Sequence, residues 1–116
     1  MTRLFRLFAW ICIAAIGILS LVAPSLRPVT FLPHDLEHAA IFAIAGALSG
    51  LGYPDRPIHS SAALIVFAGA IEIAQLFVPG RHARLSDFLI DALAACAGVG
   101  LAVVAASLWT LRRRPA

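Results

Sequence analysis

Four long apolar segments alternate with short polar breaks along the chain. They run roughly over Leu4–Ala23, Leu36–Tyr53, Ile58–Val78 and Asp87–Leu111. A helix of about 20 apolar residues is long enough to cross the roughly 30 Å hydrocarbon core of a bilayer. The pattern therefore predicts an all-α membrane protein, a compact bundle of four transmembrane helices forming a single domain over residues 1–116.

The breaks between these segments carry turn and capping signals. Prolines interrupt the first break, at Pro24, Pro28 and Pro33, and residues 53–57 predict a tight turn at the second. The dipeptide at residues 79–80, Pro-Gly, predicts the end of the third helix, because proline cannot continue a helix and glycine favours its end. Ser86 then has the position and chemistry of an N-cap for the fourth helix.

Composition places the chain in a lipid environment. Of its 116 residues, 61% are hydrophobic and 13% charged, whereas soluble domains are about half apolar and a quarter charged. A soluble domain of this size has too much surface to hide so many apolar side chains. All nine basic residues are arginines at segment ends, which does not form the basic stripe of a nucleic-acid interface. Cys12 and Cys96 lie in separate apolar runs, and neither a disulfide nor a metal pair is expected.

The distribution of arginine predicts the orientation. The first segment follows Arg3 and Arg6 as in a signal peptide, but Pro24 directly after the small-residue site disfavours cleavage, so we expect an uncleaved anchor. Cytoplasmic loops carry the excess of positive charge. With both termini inside (N-in/C-in), six arginines are cytoplasmic and three are not. The six are Arg3, Arg6, Arg56, Arg112, Arg113 and Arg114, and the three are Arg27, Arg81 and Arg84.

This topology gathers polar residues from three helices in the outer half of the membrane. The set comprises His38, Glu72, Gln75, Asp87 and Asp91, and the loop after the third helix adds Arg81. An unpaired charge at mid-membrane costs about 2.5–3.5 kcal/mol on insertion scales. The carboxylates must therefore face one another, a cation, water or a ligand. We expect the cluster to be either a functional site or a structural network.

Each member of the cluster allows a functional and a structural interpretation. Glu72 is a candidate general acid/base or ligand anchor, or a structural carboxylate tied to Arg81 or Gln75. A guanidinium clamps a carboxylate or a phosphate through two parallel hydrogen bonds, which makes Arg81 the best candidate cation. Gln75 fits either a ligand contact or an interhelical hydrogen bond. Asp87 is either catalytic or stabilised by the helix N-terminus.

His38 and Asp91 also allow both a functional and a structural interpretation. His38 is a candidate base, a ligand or an interface imidazole, and Asp91 lies one turn deeper than Asp87. Together with Glu72 and Asp87, they offer donors that suit zinc or a harder divalent cation. There is no His-Glu-x-x-His motif and no cysteine pair, so the metal is left unassigned. No cofactor is predicted.

Small residues predict close helix packing. The second segment contains Gly46-x-x-x-Gly50, and one face of the fourth carries Ala94, Ala95, Gly98, Ala102 and Ala105. Small residues let membrane helices approach closely. We therefore expect the fourth helix to lie against its neighbours along this face.

These residues together resemble the VanZ-like family of small bacterial membrane proteins over His34–Gly100. The resemblance rests on His38 with Phe42, Glu72-x-x-Gln75, Pro79-Gly80-Arg81, Ser86-Asp87 and Gly98-x-Gly100. The chain departs from the family pattern at two places. His34 and Asp35 stand where the family usually has Asp and Lys, and Asp91 stands where it often has Asn.

The resemblance implies a multi-pass protein of the bacterial cytoplasmic (inner) membrane that takes part in cell-envelope chemistry. The family's namesake is associated with low-level resistance to the glycopeptide teicoplanin, and a link of this chain to such resistance is left open. The expected partners are the bilayer and a lipid-linked small ligand, without nucleic acid. The oligomeric state is not predicted.

Three hypotheses follow for the function. In the first, Arg81 holds the anionic part of a lipid or envelope-precursor head group at the outer leaflet, while Glu72 and Asp87 hold its hydroxyls or amines. In the second, the chain is a small membrane enzyme in which Glu72 acts as general acid/base with His38 and Asp87. In the third, the polar cluster only sets the register of a structural bundle.

Overall fold

The computed structural model describes residues 1–22 and 31–115, apart from the side chain of His34. This part of the chain forms four helices and no strand: α1 (Thr2–Leu21), α2 (His34–Gly52), α3 (Pro57–Gln75) and α4 (Leu85–Arg113). The predicted interruptions at Pro24 and Pro28, the cleavage position at Ala23, and Arg27 lie outside the described residues. The all-helical class and the number of helices agree with the prediction.

Three of the four helices are long and apolar enough to cross a membrane, namely α1, α3 and α4. The helix α2 is outside this group because four of its first five residues are ionisable types. Many large apolar side chains are exposed on the outer faces, including Trp10, Val66 and Leu101. Such faces are stable in contact with lipid, and they indicate a membrane environment.

The helix boundaries differ from the predicted ones by one to three residues, and two of these differences affect the α3–α4 loop. The helix α3 ends at Gln75, three residues earlier than predicted, and a turn leads to Gly80, whose φ of 79° suits glycine. The prediction of Ser86 as an N-cap was wrong, because α4 begins at Leu85 and Arg84 takes the cap position without a side-chain hydrogen bond. The loop is therefore stabilised by contacts other than a serine cap.

The α2–α4 interface is the most extensive in the bundle. A Cβ on Gly46 would overlap the carbonyl oxygen of Ala95, and a Cβ on Gly98 would overlap that of Ala43. The two backbones therefore touch, as the small residues predicted. The core around this contact consists of Ile16, Phe42, Ala45, Leu64, Ala68, Ala95 and Val99.

A second set of contacts fastens α1 to the C-terminal end of α2. The Nε of Arg6 donates to the carbonyl oxygen of Gly52 at 2.6 Å, and the guanidinium lies 4.6 Å from the ring centroid of Tyr53. The indole N–H of Trp10 donates to the Tyr53 hydroxyl at 3.1 Å. These contacts fix the end of the bundle opposite to the polar cluster.

We expect Arg6→Gln to lower the free energy of unfolding by about 1–3 kcal/mol, because it removes a charge-assisted hydrogen bond and a cation–π contact. Thermal unfolding in detergent, followed by circular dichroism, measures the change. Arg3→Gln is the matched control. Arg3 is exposed, and its substitution removes the same charge from the same end of the chain. Equal midpoints for the two variants would contradict the assigned role of Arg6.

Candidate functional site

The structure brings the predicted polar residues together at one end of the bundle. This polar end is formed by the C-terminal ends of α1 and α3, the N-terminal ends of α2 and α4, and the α3–α4 loop. Five of the predicted side chains are buried there, at 8% exposure or less: His38, Glu72, Gln75, Asp87 and Asp91. The sixth, Arg81, is partly buried in the loop.

His38 and Asp91 form a direct contact between α2 and α4. The Nδ1 atom of His38 lies 3.0 Å from Oδ1 and 3.2 Å from Oδ2 of Asp91. Asp91 is completely buried. A carboxylate oxygen only accepts hydrogen bonds, so Nδ1 is the donor. Asp91, which lies one turn deeper in α4 than Asp87, is therefore paired with a buried side chain of α2.

The side chain of Glu72 binds the backbone of the α3–α4 loop. Its Oε2 atom accepts a hydrogen bond from the backbone N–H of Arg84 at 3.1 Å. Within the described residues, this partner replaces the predicted Arg81 and Gln75, and Oε1 is buried without a hydrogen-bond partner. The sequence carries no signal for this contact, because the donor is a backbone group at the cap position of α4.

Arg81 and Gln75 bind the C-terminal end of α1. The Nε and Nη2 groups of Arg81 donate to the carbonyl oxygen of Val22 at 3.1 and 2.9 Å, and Nη2 also donates to Leu19 at 3.0 Å. Gln75 Nε2 donates to the carbonyl of Ser20 at 3.1 Å. The last carbonyls of a helix lack intrahelical partners, and these side chains satisfy them. The sequence does not indicate this role of α1, because the acceptors are backbone carbonyl groups.

Two cavities adjoin at the polar end. The first, called here the polar cavity, has a volume of about 360 Å³ and is lined by His38, Gln75, Gly80, Arg81, His82, Arg84 and Asp87. The second, called the apolar groove, has a volume of about 400 Å³ and lies between α1 and α2. Three residues line both spaces, namely His38, Gln75 and Arg81. The two cavities therefore share a polar boundary.

The arrangement does not form a metal centre in the part of the chain that the structure describes. No group of three or more His, Cys, Asp or Glu side chains is placed there to hold a metal ion. Of the four candidate metal donors considered above, His38 and Asp91 are in direct contact. Cys12 and Cys96 are free thiols.

A model of the VanZ/LLP1 family matches residues 4–106. The chain belongs to the VanZ/LLP1 family. The match confirms the resemblance and extends it to α1, whose end contributes backbone acceptors to the polar end. No curated protein and no solved structure matches the chain. Membership in the VanZ/LLP1 family and three helices able to cross a bilayer together indicate a membrane protein.

Proposed function

We propose that this VanZ/LLP1-family protein lies in the bacterial cytoplasmic (inner) membrane and binds the anionic head group of a lipid or lipid-linked envelope precursor. The binding site is the polar cavity at the outer leaflet. The observation that carries the proposal is the pair of arginines, Arg81 and Arg84, on a cavity bounded by buried polar side chains. The positive-inside distribution of arginine supports the outer placement, with the N-terminus and C-terminus inside.

The loop that carries both arginines is held in position before any ligand binds. Glu72 binds the backbone of Arg84, and Arg81 binds carbonyl oxygens of Leu19 and Val22. A guanidinium has five N–H donors in a fixed plane, and it recognises phosphate oxygens well. Because the loop is already ordered, binding a phosphate costs less conformational entropy.

The cavity wall is not uniformly positive. Asp87 lines the same cavity as Arg84 and His82, and a carboxylate accepts hydrogen bonds from hydroxyl or ammonium groups. This combination favours a head group that carries a phosphate together with a hydroxyl or an amine. In this proposal Gln75 and His38 bound the site toward the groove, Asp91 orients His38, and Glu72 positions the loop.

An alternative function is acid–base catalysis on the same head group. It is favoured by the His38–Asp91 contact, because a carboxylate at Nδ1 fixes the orientation and tautomer of an imidazole. Under this alternative, Glu72 and Asp87 are the other candidate acid/base groups. Mass spectrometry of the retained lipid separates the two functions, since a chemically altered lipid indicates an enzyme and an unaltered lipid indicates binding.

Arg84→Gln is expected to lower retention of phosphatidylglycerol about tenfold or more, because a hydrogen bond to a charged group contributes about 1.5–3 kcal/mol. Native mass spectrometry of protein released from phosphatidylglycerol nanodiscs measures the retained lipid. Arg84 is a cleaner test than Arg81, which also holds the end of α1.

The matched control is Arg56→Gln, which removes an exposed arginine beside the N-terminal end of α3, away from the polar cavity. It should retain as much phosphatidylglycerol as the unaltered protein. Equal lipid retention by the Arg84 and Arg56 variants would exclude the polar cavity as the binding site. A link to teicoplanin resistance would act through the same site, and susceptibility of cells expressing these two variants would reveal it.

A further inference from the structure

We propose that the apolar groove between α1 and α2 holds one acyl chain of the phospholipid whose head group occupies the polar cavity. The inference rests on the proposed function and adds a second binding element to it. The protein would then select the lipid by its chain as well as by its head group. The argument depends on the position, length and walls of the groove.

The groove begins at the polar boundary and runs into the apolar part of the bundle. Its α1 wall includes Cys12, Ala15 and Leu19, and its α2 wall includes Ala40 and Ile41. Ala15 and Ala40 are exposed, so the two helices leave a gap lined by small side chains at these positions. Apart from the boundary residues, Ser20 and Glu37 are the polar residues in the described lining, and the remaining surface is apolar, which suits an alkyl chain.

The length of the groove matches one leaflet. From Cys12 to Ser20 it follows eight residues of α1, which corresponds to about 12 Å at 1.5 Å per residue. Half of a hydrocarbon core of about 30 Å is about 15 Å. An acyl chain anchored at the polar boundary would therefore lie along the groove for most of its length, with its far end near Cys12.

The volume limits the occupant to part of one lipid. About 400 Å³ falls at the lower end of the roughly 300–1,000 Å³ range of small-molecule pockets. The groove therefore accommodates one chain, and a second chain of the same lipid would remain in the bilayer. Arg81 lines both the groove and the polar cavity, so the phosphate of a lipid in the groove would meet a guanidinium.

Chain binding of this kind should be selective but modest in strength. Lipid tails are as apolar as the groove, so transfer from the bilayer gives no hydrophobic gain, and the preference must come from packing. Small residues such as Ala15 are then important because they leave the space that the chain fills. A large side chain at this position should block the chain and leave the head-group site intact.

The test compares Ala15→Trp with Ala14→Trp in purified protein in detergent. Ala14 is also exposed on α1 but is not among the groove residues. The two probes are dipalmitoyl phosphatidylglycerol and its chainless head group, glycerophosphoglycerol, with binding measured by native mass spectrometry and calorimetry. We expect Ala15→Trp to weaken lipid binding about tenfold, a difference of the size that packing supplies, and to leave head-group binding unchanged. Ala14→Trp should change neither.

The outcomes separate the groove from the head-group site. If Ala15→Trp binds the lipid as well as Ala14→Trp does, the groove is not the chain site, while the proposed function stands. If the unaltered protein binds neither probe, both proposals fail. If Ala15→Trp loses both probes, the variant has disturbed the polar cavity, and the following measurement on the unaltered protein decides.

That measurement uses the two native thiols. Modification of Cys12 by a membrane-permeant maleimide should slow when dipalmitoyl phosphatidylglycerol is bound and stay constant with glycerophosphoglycerol. Cys96 on α4 is the internal control, because it does not line the groove and its rate should stay constant with both probes. A Cys12 rate that is the same with and without the lipid would overturn the inference.

Discussion

Gly98→Ala is expected to lower the free energy of unfolding by about 1–3 kcal/mol or more, the usual cost of overpacking a close-packed contact. The added methyl group would overlap the backbone of α2 at Ala43, and it also lies 2.8 Å from the backbone nitrogen of Ala47. Backbone atoms cannot move aside as a flexible side chain can. The whole α2–α4 interface would have to separate to admit one carbon atom.

Gly100→Ala is the matched control for this experiment. It lies two residues further along α4, and a Cβ there has no neighbour within 4 Å. Because alanine favours helix over glycine by about 0.5–1 kcal/mol, this variant should be as stable as the unaltered protein or slightly more stable. Thermal unfolding in detergent measures both variants. Similar midpoints for the two would show that α2 and α4 do not approach as closely as described.

Asp91→Leu is expected to cost about 3–5 kcal/mol, because removing one partner of a buried pair leaves the other without compensation. Asp91 is completely buried, and His38 would lose the acceptor for its Nδ1–H group. Leucine has a similar shape to aspartate, so the cost would report on the lost contact more than on a cavity. The same detergent unfolding assay, supplemented with a denaturant series, gives the value.

Two further variants sharpen the Asp91 result. Asp91→Asn keeps an acceptor oxygen for His38 and should cost only about 1 kcal/mol. Asp35→Leu removes an exposed acid from the first turn of α2 and should cost about 0.3–1 kcal/mol, through the helix dipole alone. If Asp91→Leu and Asp35→Leu were equally mild, the His38–Asp91 contact would not stabilise the fold.

Much of the architecture was predictable because membrane helices obey a simple physical rule. Long apolar runs must become helices in lipid, since every backbone polar group needs an internal partner there. The four segments and the small residues at Gly46 and Gly98 therefore predicted the helices and a tight contact between them. The predicted boundaries were less accurate, and the end of α3 shows why. After Gln75 the backbone N–H groups of Leu76, Phe77 and Val78 bond three residues back instead of four, and this local change in hydrogen bonding ends the helix.

The partners within the polar cluster were much harder to predict. Glu72 binds the backbone of Arg84, and Arg81 binds backbone oxygens at the end of α1. Backbone groups occur at every residue, so no pattern of side-chain types indicates which of them will be used. The apolar groove could not be predicted from the sequence either. Its walls contain alanine and leucine residues of the kind found on other lipid-facing surfaces, and only their positions in the bundle distinguish them.

The sequence by itself determined that this protein is helical and apolar and belongs to the VanZ/LLP1 family. It also determined that polar residues, whose burial in lipid costs free energy, lie near the ends of α2, α3 and α4. These properties depend on the order of residues along one chain and on the cost of placing polar groups in lipid. Only the tertiary structure decided that His38 meets Asp91, that the α3–α4 loop is fastened to α1, and that two cavities share one boundary. Those features depend on how each helix is rotated about its axis and where the loop lies, which the contacts of all four helices set together.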